Sequence, residues 1–172
     1  MQDIQINKVT IAEIEQLQNI GKQTFLETFS SENTEENMNK YLQKGFSIDK
    51  LMEELSHPDS EFYFACVNNH VIGYLKINYG DSQTELKDKN SLEIERIYVL
   101  KEFHGKNVGQ QLYEKAISIA RELQVDHVWL GVWEKNARAI HFYQKNGFKE
   151  FDKHIFRLGD DEQTDIMMKQ EL

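Results

Sequence analysis

Glu93 and Glu95 stand two residues apart in the run Leu92-Glu93-Ile94-Glu95-Arg96-Ile97-Tyr98-Val99, and alternate residues of an extended strand share a face. Two carboxylates so placed can raise each other's pKa or bind a cationic amine together. The strand leads through Lys101-Glu102-Phe103 into His104-Gly105-Lys106-Asn107-Val108-Gly109-Gln110, and from there directly into a helical pattern. Strand, glycine-bearing loop and helix start in succession make an anion site. The first N–H groups of a helix have no internal acceptor and lie at the positive end of its dipole, so they can hold a phosphate or pyrophosphate. Gly105 and Gly109 permit close backbone approach, and Lys106 adds positive charge in a chain that is otherwise acidic. The spacings of a P-loop, G-x-x-x-x-G-K-[ST], and of a dinucleotide-binding turn, G-x-G-x-x-G, are both absent. Six histidines without an i, i+4 pair and a single cysteine, Cys66, give no zinc ligand set, so no metal is expected.

These residues need a scaffold, and the pattern of the chain supplies one. Ile4 to Val9 alternates as a short strand, and Thr10 caps a helical stretch carrying Ile14, Leu17, Ile20 and Phe25. Two further helical stretches follow, one from Thr34 through Leu42 and one from Ser47 to Ser56 that ends at Pro58. Phe62 to Val67 and Val71 to Tyr79 read as a hairpin about Asn68-Asn69, residues that tolerate the positive φ of a tight turn. Gly80 to Asn90 reads as a mobile surface loop, and Leu92 to Leu100 as the next strand. From Gly109 a helix buries Leu112, Ala116, Ile119, Ala120 and Leu123, then Val128 to Val132 is a strand and Asn136 to Asn146 a helix stopped by Asn146-Gly147. Phe148 to Phe156 and Gln163 to Met168 close the chain as strands about a turn at Gly159 to Glu162. The expected order is β-α-α-α-β-β-β-α-β-α-β-β in one domain, residues 1–172, without repeat or linker.

Against that frame the loop resembles the acyl-CoA loop [QR]-x-x-G-x-[GA] of the GCN5-related N-acetyltransferases (GNAT). Gly109 matches the final glycine, whereas His104 replaces the usual Gln or Arg and Asn107 the first glycine. Asn is the side chain that best tolerates the left-handed conformation such a position needs. Downstream, Trp129-Leu130-Gly131-Val132, Asn136, Ala139, Phe142-Tyr143 and Gly147-Phe148 are similar to the family's N-x-x-A-x-x-F-Y-x-x-x-G-F segment. More narrowly, the runs 92–98, 129–136 and 159–165 resemble bacterial PaiA-type spermidine/spermine acetyltransferases. The resemblance implies an α/β (α+β) fold: a mixed, largely antiparallel central sheet flanked by helices, with a V-shaped splay between the strands ending near Val99 and Val132. It implies acetyl-CoA as cosubstrate. The backbone of Ile97, Tyr98 and Val99 would align the acyl arm, the amides of 105–110 would hold the pyrophosphate, and Asn136 would bond the pantetheine. It further implies Glu95 as general base, directly or through water, and Tyr143 as proton donor to the departing thiolate. Transfer is expected to be direct, because Cys66 lies in the hairpin strand away from these motifs.

Composition narrows the partner. Hydrophobic residues make up 40% and charged residues 28%, as in an ordinary globular chain, and no apolar run approaches the roughly 20 residues that cross a bilayer. With no signal-peptide core at the start, a cytoplasmic protein is expected. Lys+Arg 20 against Asp+Glu 29 gives a net charge of −9, which repels nucleic acid and attracts cations. Glu93, Glu95 and the turn Asp160-Asp161-Glu162 favour an extended polycation such as spermidine or spermine as acceptor. The alternatives are another small amine, a peptide or protein amine, or a non-catalytic acyl-CoA-binding regulatory module. A homodimer is implied only by analogy with the family.

Overall fold

The structure is a computed structural model that describes residues 3–86 and 88–172. Its elements follow the expected order: β1 (Gln5–Lys8), α1 (Ile14–Phe29), α2 (Glu35–Gly45), α3 (Ile48–Ser56), β2 (Ser60–Val67), β3 (His70–Tyr79), β4 (Ser91–Val99), α4 (Val108–Glu122), β5 (His127–Trp133), α5 (Ala137–Lys145), β6 (Lys149–Leu158) and β7 (Asp161–Glu171). Local chemistry sets the boundaries. The Thr34 hydroxyl accepts the Asn37 N–H at 3.1 Å, and the Ser47 hydroxyl accepts that of Lys50 at 3.2 Å, each satisfying one of the free amides that open a helix. Asn68 and Asn69 take φ of 51° and 65°, as the β2–β3 hairpin requires, and Gly147 ends α5 at φ 97°.

The seven strands form one sheet in the order β1-β2-β3-β4-β5-β7-β6. Every neighbouring pair is antiparallel except β4 with β5. That parallel pair decides the function. Its rungs run from Ser91↔His127 to Ile94↔Leu130 and then stop, although β4 continues to Val99 and β5 to Trp133. The expected splay is therefore present, and its outer edges carry backbone groups without a ladder partner across the gap. On the far side of β4 the ladder with β3 continues to Gly73↔Val99, interrupted by a bulge: Lys76 pairs with Arg96 and Ile77 with Ile94, leaving Glu95 as the extra residue. Bulges re-aim side chains, and this one turns Glu95 and its neighbour Arg96 to the same face.

That face lies under α1, α2 and α3, where Phe46 at the end of α2 sits over the Arg96 guanidinium at 5.4 Å. The opposite face is covered by α4, whose Leu112, Ala116 and Ala120 are fully buried. Burying one such leucine is worth about 1.5–3 kcal/mol, so the sheet is held flat against α4 while its other face stays partly open. The terminal hairpin differs from expectation. Both strands run further, so Asp161 and Glu162 belong to β7 and the turn shrinks to Gly159 and Asp160. These strands are solvated on much of their surface, and their charged residues pair across the ladder, as Arg157 does with Glu162 at 2.8 Å. Among the described residues no helix is long and apolar enough to cross a membrane.

Candidate active site

A cleft of about 1210 Å³ opens where β4 and β5 part, and it has two chemically different ends. One end is the loop between β4 and α4. Asn107 takes the left-handed conformation, φ 67°, just before Val108 opens the helix, and its side chain caps nothing. The first hydrogen bond of α4 is from the Gln111 N–H to the Asn107 carbonyl, so the amides of Val108, Gly109 and Gln110 precede it and point at the cleft end without helical acceptors. Gly105, at φ 77°, has open space where a side chain would stand. His104 ties the loop to the strand: its Nε2–H donates to the Val99 carbonyl at 2.9 Å. Burial pushes the imidazole pKa down despite that bond, so the ring is neutral at pH 7. This combination fits acetyl-CoA: amides at a helix start suit a pyrophosphate, and the unpaired edges of the splay suit an amide-bearing arm.

The strand edges and α5 form the middle. Ile97, Tyr98, Val99, Asn136 and Tyr143 all line the cleft, as do His104, Gly105, Asn107, Val108, Gly109 and Gln110. Lys106 is the one expected residue outside this lining; it is exposed, with its amine 5.3 Å from the Phe103 ring. The Asn136 side chain accepts the Ala139 N–H at 3.2 Å, so it caps α5 as well as facing the cleft. Tyr143 packs its ring between Phe142 and Phe148, at 5.4 and 5.5 Å, and burial raises its phenol pKa well above the usual value. A phenol so held keeps its proton at neutral pH and can donate it only to a strong acceptor.

The other end is acidic, but not as expected. Glu95 sits in a buried ion-pair cluster: Lys76 Nζ lies 3.0 Å from its Oε1 and 2.8 Å from Glu54, and Arg96 Nη2 lies 3.1 Å from both carboxylates. Asn78 bridges the strand by donating to Glu95 at 2.9 Å and to Glu93 at 3.0 Å. Burial alone would raise the Glu95 pKa; the Arg96 and Lys76 charges overcome it and hold the carboxyl down at about 2. Two acids and two bases here neutralise one another. Glu93 goes the other way, its pKa raised first by burial and then by the Glu95 charge. It accepts the Thr84 N–H at 2.8 Å and the Thr84 hydroxyl at 2.6 Å.

The segment read as a mobile surface loop is in part a cleft wall. Gln83 is buried and accepts the Trp129 indole N–H and the Ser91 hydroxyl, both at 2.7 Å, which brings Thr84 and Glu85 to the cleft. Across the splay, Asp165 on β7 and His154 on β6 face Glu85. Spacing marks none of Lys76, Arg96, His154 and Asp165; Lys76 carries the signal of a charged residue within the otherwise apolar β3, whereas His154 and Asp165 lie on charged strands where no such signal stands out. The turn at Asp160 lies outside the lining: its amide donates to Asn37 at 3.2 Å, and Glu162 pairs with Arg157. Phe25, Phe29, Tyr41 and Phe46 form the aromatic wall above the acidic end.

A splayed parallel pair with an anion-binding helix start is the layout of an acyl-CoA transferase of the N-acetyltransferase type. The family model for the acetyltransferase (GNAT) family matches residues 14–148, and the chain belongs to that family. It is similar to a Lactobacillus delbrueckii subsp. lactis protein described as an uncharacterized N-acetyltransferase in the pepI 3′ region, 42% identical over 172 residues, 100% of this chain and 99% of that one. It is 26% identical to the spermidine N(1)-acetyltransferase of Thermoplasma acidophilum over 87% of this chain and 90% of that one. Its fold matches the crystal structure of the PaiA N-acetyltransferase of Thermoplasma acidophilum in complex with coenzyme A, with a TM-score of 0.82, 24% identity and 99% of each chain covered.

Proposed function

We propose that this acetyltransferase moves an acetyl group from acetyl-CoA directly to a primary amine of a polyamine such as spermidine or spermine. The observation that carries the reading is the polarity of the cleft, with free helix-start amides at one end of the β4–β5 splay and carboxylates at the other. The similarity to a spermidine N(1)-acetyltransferase supports the acceptor class. Acetyl-CoA supplies an activated thioester whose carbonyl carbon the amine attacks.

The residues divide the work. The amides from Gly105 to Gln110 bind the pyrophosphate, and the backbone of Ile97, Tyr98 and Val99 with Asn136 orients the arm, so the thioester arrives at Tyr143. Tyr143 donates a proton to the leaving sulfur. Glu95 fixes Lys76 and Arg96, while Glu85, Glu93 and Asp165 supply the negative charge of the acceptor end. An alkylammonium has a pKa near 10.4, so on the order of one part in a thousand is neutral at pH 7.4, and the acceptor end must also take a proton. A polyamine keeps a second ammonium against the carboxylates while its first nitrogen reacts. With acetyl-CoA as the donor, residues 1–172 act as one domain in the cytoplasm. Incubation with acetyl-CoA and a competing mixture of spermidine, spermine, butylamine and a peptide with a free N-terminus, with products identified by mass spectrometry, tests this. Acetylated polyamine should dominate; exclusive acetylation of the peptide or the monoamine would overturn it.

A further inference from the structure

The Glu95 carboxylate accepts from Lys76, Asn78 and Arg96 at 2.9 to 3.1 Å, and a group ionised down to about pH 2 has little tendency to take a proton from an amine. A second carboxylate flanks the same point. Glu95 is the first β4 residue past the last rung, Ile94↔Leu130, and Gly131 is the first β5 residue past it. A Cβ on Gly131 would lie 3.4 Å from Asp165 Oδ2 and 3.6 Å from His154 Cε1. With glycine there, nothing at that position stands between the Asp165 carboxylate and the mouth of the splay. Asp165 is held by both neighbours, opposite Trp133 on β5 and opposite His154 on β6. His154 Nε2 is 3.6 Å from Asp165 Oδ2. Its Nδ1 lies 3.3 Å from Glu85 Oε1 but is buried without an aligned hydrogen bond.

We propose that Asp165, steadied by His154, accepts the proton from the acceptor amine, and that Glu95 is a positioning residue. This rests on the acetyltransfer reading above. The bound ammonium loses one N–H proton to Asp165. Its freed electron pair forms the C–N bond to the thioester carbonyl carbon as the C–S bond breaks, and the sulfur leaves with the C–S bonding pair and takes the Tyr143 hydroxyl proton. The nitrogen gives up its second proton through water to the Tyr143 oxygen, and Asp165 releases its own to solvent, so one amide, one thiol and one proton result. The environments of the two carboxylates separate their roles: burial lifts the Asp165 pKa to about 6, opposed by His154 and reinforced by Glu85. A base near working pH is what proton transfer needs. The groups facing it are His154 on β6, Glu85 in the segment before β4, and the partly buried side chains of Tyr41 on α2 and Tyr98 on β4, both of which feel its charge.

The test is the pH profile of kcat with saturating spermidine and acetyl-CoA. Wild type should lose turnover as pH falls through about 6. Asp165→Asn should lower kcat about 10²- to 10⁴-fold and abolish that limb, with acetyl-CoA affinity by calorimetry and the thermal midpoint close to wild type. His154→Gln should move the limb to higher pH, because the charge that lowers the Asp165 pKa is gone; an unmoved limb in this folded variant counts against the assignment even if Asp165→Asn unfolds. Glu95→Gln should retain the limb. Wild-type kcat and limb in Asp165→Asn, or loss of the limb in Glu95→Gln, would overturn the assignment while leaving acetyl transfer standing. Absence of amine turnover by wild type would instead overturn the reading on which it rests.

Discussion

Tyr143 and Glu95 show how differently a motif and its surroundings determine a residue's chemistry. Burial pushes the Tyr143 phenol pKa still further above its ordinary value, so the proton stays on the oxygen until the leaving sulfur takes it, and Tyr143→Phe should lower kcat about 10²-fold or more with acetyl-CoA affinity unchanged, measured by thiol release and calorimetry. Glu95 was legible as a cleft residue from its strand position, but its partners were not, because Lys76 on β3 and Glu54 on α3 are brought to it only by the fold. Its carboxyl drops from 4.5 to about 2 on folding. A lowered carboxyl pKa stabilises the folded state above its unfolded value and loses that contribution as pH falls through the folded one. Stability should therefore decline between about pH 4.5 and 2, by about 3 kcal/mol at about 1.4 kcal/mol per unit. Asp165, raised from 3.8 to about 6, has the opposite slope: it contributes below 3.8 and is lost as pH rises through 6. Urea midpoints across pH should show the acid slope in wild type and lose it in Glu95→Gln. Arg96→Met leaves Glu54 and Glu95 short of a cation and should cost about 3–5 kcal/mol.

At the scale of elements, the strand β4 does most of the positioning, through one bulge and one early end to its ladder with β5. The succession of elements was readable because hydrophobic periodicity, the Thr34 and Ser47 caps and the Asn68-Asn69 turn are local signals. The bulge at Glu95 was not readable, since it is a property of the register between β3 and β4 rather than of either strand. Nor was the role of Gln83: a single polar residue shows no period, yet its side chain joins Trp129, Ser91 and two carbonyls in the interior. Gln83→Leu should leave the Trp129 N–H unpaired, at about 1–3 kcal/mol, while the Ser91 hydroxyl keeps the Asp88 carbonyl as acceptor, and should speed amide exchange at Thr84, measured by hydrogen exchange. Gly73 sets the spacing of β3 from β4. A Cβ there would stand 2.7 Å from the Tyr98 carbonyl oxygen, so Gly73→Ala must displace the strand edge. Such overpacking should cost about 1–3 kcal/mol and weaken acetyl-CoA binding, both measurable on the same protein by thermal melting and calorimetry.

For the molecule as a whole, charge and shape act together. The net charge of −9 was plain in the composition, but where it matters was not. The Asp160-Asp161-Glu162 segment is turned to Asn37 and Arg157, and Lys76 with Arg96 cancels Glu95 and Glu54, so the free acidity of the acceptor end lies with Glu85, Glu93 and Asp165. A chain carrying several ammonium groups can reach from those carboxylates to the thioester; a monoamine has nothing left to anchor. Screening shortens the reach of exposed charge to about 10 Å at 0.1 M salt. The decisive measurement is therefore kcat/KM for acetyl-CoA-dependent thiol release with spermidine and with butylamine, at low and at high salt. The account predicts at least a tenfold preference for spermidine at low salt, shrinking as salt rises; equal constants for the two amines, indifferent to salt, would contradict it.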